Sequence, residues 1–382
     1  MLNKFFLILF LLSSNFSLLN TSYAFDFVEV KSNEIGDGLA LDLGVMRNFK
    51  GSQLCSVAEN TKTYINNHSD DTFAVKAGDV FGQKISLDQV KVTLDFICEI
   101  YRDDLKAERQ SRLHDTDFLE QNFVFYRWMP DVKTAKKIAI KSTNAVKSRM
   151  LNNIPDDEIF LTKYYTKTLT ASPIRTDEYN QALYALPADE LDLTLEEANK
   201  DKTLTRFKYT RQEVINGALL KGDLAKPLVW ISEESLHDVL LQGTGVLTVN
   251  NELRYFNVHR NNGIAYDYSI GKREQARYWY FAEVPSIMGY GKTLASKIAV
   301  KPHVTFAGNV KDLGLGKLFL VSFVEQGERV SRMGVLADQG GAFDNNLFQL
   351  DLLVDSYKGW EDYHQANKTM PDYAQAWLLL KK

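Results

Sequence analysis

The sequence predicts a mainly β protein with its helices gathered in the N-terminal part. Three observations carry that prediction. A helical pattern with its own start signal lies near residues 86–105; from Glu158 onward the texture changes to short apolar runs; and Asn- and Gly-rich turn signals separate those runs. The chain has 382 residues, 45% of them hydrophobic, enough for one large or two moderate domains.

In chain order, residues 1–24 hold one charge at Lys4, an apolar run from Phe5 to Leu12, and small residues at Ser22 and Ala24. That layout is a secretory signal peptide cut after Ala24. Its apolar core is too short to span a bilayer, and no cysteine follows the cut for lipid attachment. The expectation is a soluble, periplasmic protein with no transmembrane anchor. Cys55 and Cys98 are an even pair for an oxidising compartment, and either a disulfide or two small buried hydrophobes would satisfy the pattern.

Ser86-Leu87-Asp88-Gln89 reads as a capping box opening a helix whose stripe is Val90, Leu94, Cys98, Tyr101 and Leu105. The Lys-rich stretch from Lys133 to Lys147 alternates at KKIAIK and reads as a strand with a solvated face. Strands then follow at EIFLTKYYTKTLTA, ALYALP, VLLQGTGVLTV, ELRYFNVH, KIAVKPHVTFAG, KLFLVSFV and MGVLA. Residues 191–206 form the most loop-like interior stretch, and no internal repeat is present.

Removing residues 1–24 takes away one lysine and no acid, so the net charge moves from −4 to −5. A mildly acidic chain lacks the basic field that nucleic-acid binding needs. Gly289-Tyr290-Gly291-Lys292-Thr293 resembles the end of a phosphate-binding loop, yet Ser286 stands where its first glycine belongs. Gln242-Gly243-Thr244-Gly245 lacks the third glycine of a dinucleotide fingerprint, and on local sequence it is a hairpin turn. The six histidines show no ligand spacing, and no cofactor is expected. What remains is carboxylate chemistry at VLADQGGAFD. Asp338 there precedes Gly340 and Gly341, which on local grounds is turn chemistry that also lets a ligand approach the backbone; Asp351 follows.

Several segments together resemble the membrane-bound lytic murein transglycosylase A family. Its F-T-G-Y-Y-E-P motif is echoed by Leu161-Thr162-Lys163-Tyr164-Tyr165-Thr166-Lys167, and its P-L-Y-x-x-P by Ala182-Leu183-Tyr184-Ala185-Leu186-Pro187. Its T-R-x-E-I-x-x-G-x-L is matched by Thr210 to Leu219, its I-Q-G-S-G by Leu241 to Gly245, and its N-G-x-x-Y-x-S-I-G by Asn262 to Gly271 with one extra residue. Its A-Q-D-T-G-G-A motif lines up with Leu336 to Ala342. The departures are that S-I-A-V-D becomes Lys297-Ile298-Ala299-Val300-Lys301, Gln339 replaces the Thr after the aspartate, and Thr166-Lys167 replaces Glu-Pro. The chain thus looks like a divergent, shortened member.

The resemblance implies a double-psi β-barrel domain, residues 25–168 plus 272–382, with an inserted smaller β domain at 169–271 and a groove between them. It implies cleavage of peptidoglycan glycan strands between N-acetylmuramic acid and N-acetylglucosamine without water, with Asp338 as the single acid/base. Thr162, Tyr164, Tyr165, Gln242 and Gly243 would face the glycan. So would Asn262, Tyr266, Gly340, Gly341 and Asp351. A lone acid fits a lytic mechanism, since ordinary glycosidases need two carboxylates. Burial would help it hold its proton, whereas Lys301, if it lay beside Asp338, would favour the ionised form. A non-catalytic peptidoglycan-binding protein and a hydrolase of another polysaccharide are the alternatives.

Overall fold

The computed structural model describes residues 25–30, 41–47, 49–267, 269–340, 343 and 345–382. The expected signal peptide and Gly341 lie outside them. Its strands are β1 (Asp26–Val30), β2 (Val45–Met46), β3 (Phe123–Met129), β4 (Ile159–Ala171), β5 (Gln181–Tyr184), β6 (Pro227–Ile231), β7 (Thr244–Val249), β8 (Glu252–Asn261), β9 (Trp279–Val284), β10 (Thr305–Ala307), β11 (Leu318–Glu325), β12 (Glu328–Asp338), β13 (Gln349–Tyr357) and β14 (Tyr373–Lys381). Six of them close on themselves in the order β14-β11-β12-β10-β13-β4, with β4 returning to β14. The β12–β10 and β13–β4 pairs are parallel and the others antiparallel. Closure leaves no free edge inside the barrel, and both faces of its wall are buried, Phe306, Phe319, Leu336 and Leu352 on one and Leu320 and Trp377 on the other.

The barrel and the second sheet share one strand. Phe160 to Lys167 of β4 pair with β13, while Thr168 to Ala171 pair with β7, which continues into β8 and β9. At 13 residues β4 exceeds the usual strand length, so a single rigid ribbon fixes the two sheets to each other. The second sheet runs past the boundary expected at 271: β9 pairs with β8, and Tyr278, Tyr280 and Phe281 fill the core of the inserted part.

Helix α1 (Gly51–Asn67) and helix α2 (Leu87–Lys106) cover the barrel, joined by a Cys55–Cys98 disulfide with a Cα–Cα distance of 4.8 Å. The Ser86/Gln89 capping box is formed, but Leu105 is 62% exposed and leaves the expected stripe. Three strand readings are corrected. The KKIAIK segment lies in a helix, Val132–Lys141, capped by Asp131 and burying Val132, Ala135 and Ala139. That i, i+3, i+7 stripe is built from alanines, which an alternation count ignores. VLLQGTGVLTV divides into a helix, Glu233–Gln242, and β7; Gly243 caps the helix at φ +73° in place of a hairpin turn. In KIAVKPHVTFAG only Thr305 to Ala307 join the ladder, apart from a single bridge at Ala299. The loop-like stretch holds a short helix, Leu195–Lys200, started by a Thr194/Glu197 capping box.

Candidate active site

Ala307 of β10 pairs with Asp338 on one side and with Asp351 on the other, and Asp351 pairs with Thr162 of β4. Directly paired residues share a face of a sheet, so two carboxyl groups flank a small alanine. The space above Ala307 opens into a cavity of about 490 Å³. Its barrel side includes Tyr164, Tyr165, Asp338, Gln339, Gly340, Phe343 and Asp351, and its far side comes from Gln242, Gly243, Thr244, Asn257 and Val258 of the inserted part.

Asp338 is partly buried. Tyr164 donates its hydroxyl to Oδ2 at 2.9 Å, and the Gln339 N–H donates to Oδ1 at 2.8 Å. Removal from water outweighs these donors and the nearby Lys297 charge, and pushes the carboxyl up to about 6. Asp351 is pushed up to about 7, again first by desolvation and further by the charge of Asp338, with the Thr162 hydroxyl pulling the other way. Thr162 accepts from the Gln349 amide at 2.7 Å. Both acids therefore hold protons into the pH range where ordinary aspartates have lost them.

Among the described residues, three cavity-lining side chains carry a buried oxygen without a hydrogen-bond partner: Asp351 Oδ1, Gln339 Oε1 and Asn257 Oδ1. Asn257 is 2% exposed, and its amide is spent on Thr244 at 3.1 Å. A dry acceptor without a donor is costly, and three around one cavity suit a ligand rich in hydroxyl and amide donors.

The tyrosine pair divides its work. Tyr164 points its hydroxyl at Asp338, while the Tyr165 ring stacks on Tyr363 with centroids 4.5 Å apart. Lys167 reaches the inserted part twice: its ammonium pairs with Asp238 at 2.6 Å, and its N–H donates to Gln242 Oε1 at 3.2 Å. The departure from Glu-Pro thus supplies a tie that holds Gln242 at the cavity.

Other expected residues lie elsewhere. Asn262 is buried, donating to the Tyr209 and Ala276 carbonyls and accepting from the Tyr278 N–H, which makes it a clamp inside the inserted part. Neither it nor Tyr266 is among the cavity residues. Lys301 is also absent from that wall; its backbone is held by the Thr305 hydroxyl. The cation whose field reaches Asp338 is Lys297. Sequence reasoning weighed the wrong lysine of the KIAVK segment, because register alone does not show which one turns inward.

Gly289 and Gly291 were missed as well. A Cβ on Gly289 would sit 2.6 Å from the Ala337 carbonyl oxygen, and one on Gly291 would sit 2.5 Å from the Lys297 Cα. The Tyr290 N–H donates to the Ala337 carbonyl at 3.0 Å. The phosphate-loop lookalike is in fact a segment pressed against the end of β12, and its glycines allow that approach.

Residues 160–278 match the family model described as the MltA specific insert domain. The chain carries the MltA-specific insert within the MltA fold. A membrane-bound lytic murein transglycosylase from Agrobacterium tumefaciens superimposes with TM-score 0.55 at 15% identity, covering 94% of this chain and 98% of that one. MltA from E. coli with bound chitohexaose gives 0.53 at 15% identity, covering 93% and 94%. MltA from Neisseria gonorrhoeae gives 0.50 at 13%, covering 90% and 96%. A search of curated proteins returns no match. The MltA-type insert begins within β4 and ends just before β9, so the match spans the strand shared by the two sheets. Among the described residues no helix is long and apolar enough to cross a membrane.

Proposed function

We propose that this protein is an exported peptidoglycan lytic transglycosylase with Asp338 as its acid and base. The observation that carries the reading is a carboxyl raised to about 6 at a cavity ringed by unpartnered acceptors. Protonated Asp338 donates to the glycosidic oxygen as the bond from C1 to O4 breaks. The resulting carboxylate takes the proton of the same sugar's O6 hydroxyl, whose oxygen closes on C1 as a 1,6-anhydro ring. The proton returns to Asp338 and no water is consumed. Tyr164 holds the carboxyl in place, and Asp351, Gln339 and Asn257 offer acceptors to sugar hydroxyl and acetamido groups. Support comes from the fold shared with lytic transglycosylases, one of them solved with chitohexaose, and from the matched insert.

Digestion of purified sacculi followed by mass analysis tests this. Anhydro-muropeptides are expected from the native protein and not from Asp338→Asn. Products with free reducing ends would identify a hydrolase, with Asp351 as the second carboxyl group. Sacculus binding without products would identify a non-catalytic glycan-binding protein.

A further inference from the structure

Lys297 is the unexplained charge of the cavity. It stands at the serine position of the family's S-I-A-V-D pattern, so neutral-glycan chemistry does not by itself call for it. Its side chain is largely buried at the cavity wall, and burial holds its ammonium below the usual lysine range. Among the described residues its ammonium makes no hydrogen bond and no salt bridge. The nearest acid is already engaged: both oxygens of Asp338 accept from Tyr164 and Gln339. Asp338 therefore acts on Lys297 through its charge and not through a hydrogen bond; a largely desolvated ammonium without a direct anionic contact is unfavourable, and an anionic ligand would supply that contact.

We propose that Lys297 is a specificity residue that binds a carboxylate carried by the sugar at the scissile bond. Resting on the function proposed above, that group is the free lactyl carboxylate of a muramoyl residue whose peptide stem has been removed. The lactyl ether is on the same sugar as the reacting C1, which places its carboxylate within reach of a lysine on the Asp338 wall. With a stem attached, the same carbon is a neutral amide and offers the ammonium no charge. The protein thereby prefers stem-free strands, and the class of reaction that must supply its substrate is amide hydrolysis between muramoyl residue and peptide. A uronic acid would present the same chemical group.

Stem-free glycan strands are compared with the same strands after carbodiimide coupling of their carboxylates to methylamine. For the native protein, kcat/KM on the acidic strands exceeds that on the amidated strands roughly tenfold, the worth of one charge-assisted hydrogen bond. Lys297→Ser brings the ratio close to one, and Lys297→Arg retains it. Calorimetric binding of both strands to Asp338→Asn, with and without Lys297→Ser, reads the same ratio without turnover. Cleavage with no discrimination, or a ratio unmoved by Lys297→Ser, overturns the inference and leaves the proposed function standing. Lys297-dependent discrimination in binding with no anhydro product supports the carboxylate site and defeats the proposed function. Lys297-dependent binding of an oligouronate tighter than of the stem-free strands overturns the muramoyl assignment.

Discussion

Replacing Asp338 with asparagine should stabilise the protein at alkaline pH and leave its stability unchanged in acid. The carboxyl is raised from 3.8 to about 6. Well below pH 3.8 it is protonated in both folded and unfolded chains and costs nothing. As pH rises through 6 the unfolded chain ionises readily while the folded one resists, so stability is lost across that window. Each pKa unit is worth about 1.4 kcal/mol, which sets a ceiling of about 3 kcal/mol at pH 8. Solvent reaching the partly buried group lowers the realised gain to about 1–3 kcal/mol. Asp351 also loses the repulsion of Asp338, which acts in the same direction. Thermal unfolding at pH 4 and pH 8 checks this: Asp338→Asn should melt on the order of 2–5 °C higher at pH 8, with a difference of about 1 °C or less at pH 4. Equal shifts at both values, or a lower melting temperature at pH 8, would refute the argument that desolvation dominates this site.

Two further substitutions address how the acid is held. Tyr164→Phe removes the hydroxyl that donates to Asp338 at 2.9 Å; losing a donor to the charged form raises the carboxyl further, so the alkaline limb of the pH–activity profile moves up by roughly one unit. An unmoved limb would mean that another group governs it. Gly289→Ala puts a methyl 2.6 Å from the Ala337 carbonyl and 2.7 Å from Val300 Cγ1; activity should fall at least about tenfold through displaced Asp338, with a stability cost of about 1–3 kcal/mol. Gly359→Ala, where an added methyl meets nothing within 4 Å, is the control and should leave activity unchanged.

Local pattern settled a good share of the molecule. The Ser86/Gln89 capping box, the strand-like run through Ile159 to Ala171 and the run ending at Asp338 are short-range physics, and each became the expected element. Pattern failed where two periods compete over few residues. KKIAIK alternates as a strand would, yet its alanines let one helix face pack closely; VLLQGTGVLTV changes element at Gly243, between two short apolar runs that read alike.

The sequence by itself determined which groups can do chemistry here, because an aspartate beside glycines and a tyrosine pair are local facts. It did not decide their environment. Whether Asp338 holds a proton depends on desolvation and on Tyr164, 174 residues away. Which lysine faces that acid, whether Asn262 meets ligand or clamps a loop, and why Gly289 must lack a side chain follow from barrel closure and from β4 serving both sheets. Those are long-range packing relations, and burial, the largest influence on both carboxyl groups, exists only once the distant strands have come together.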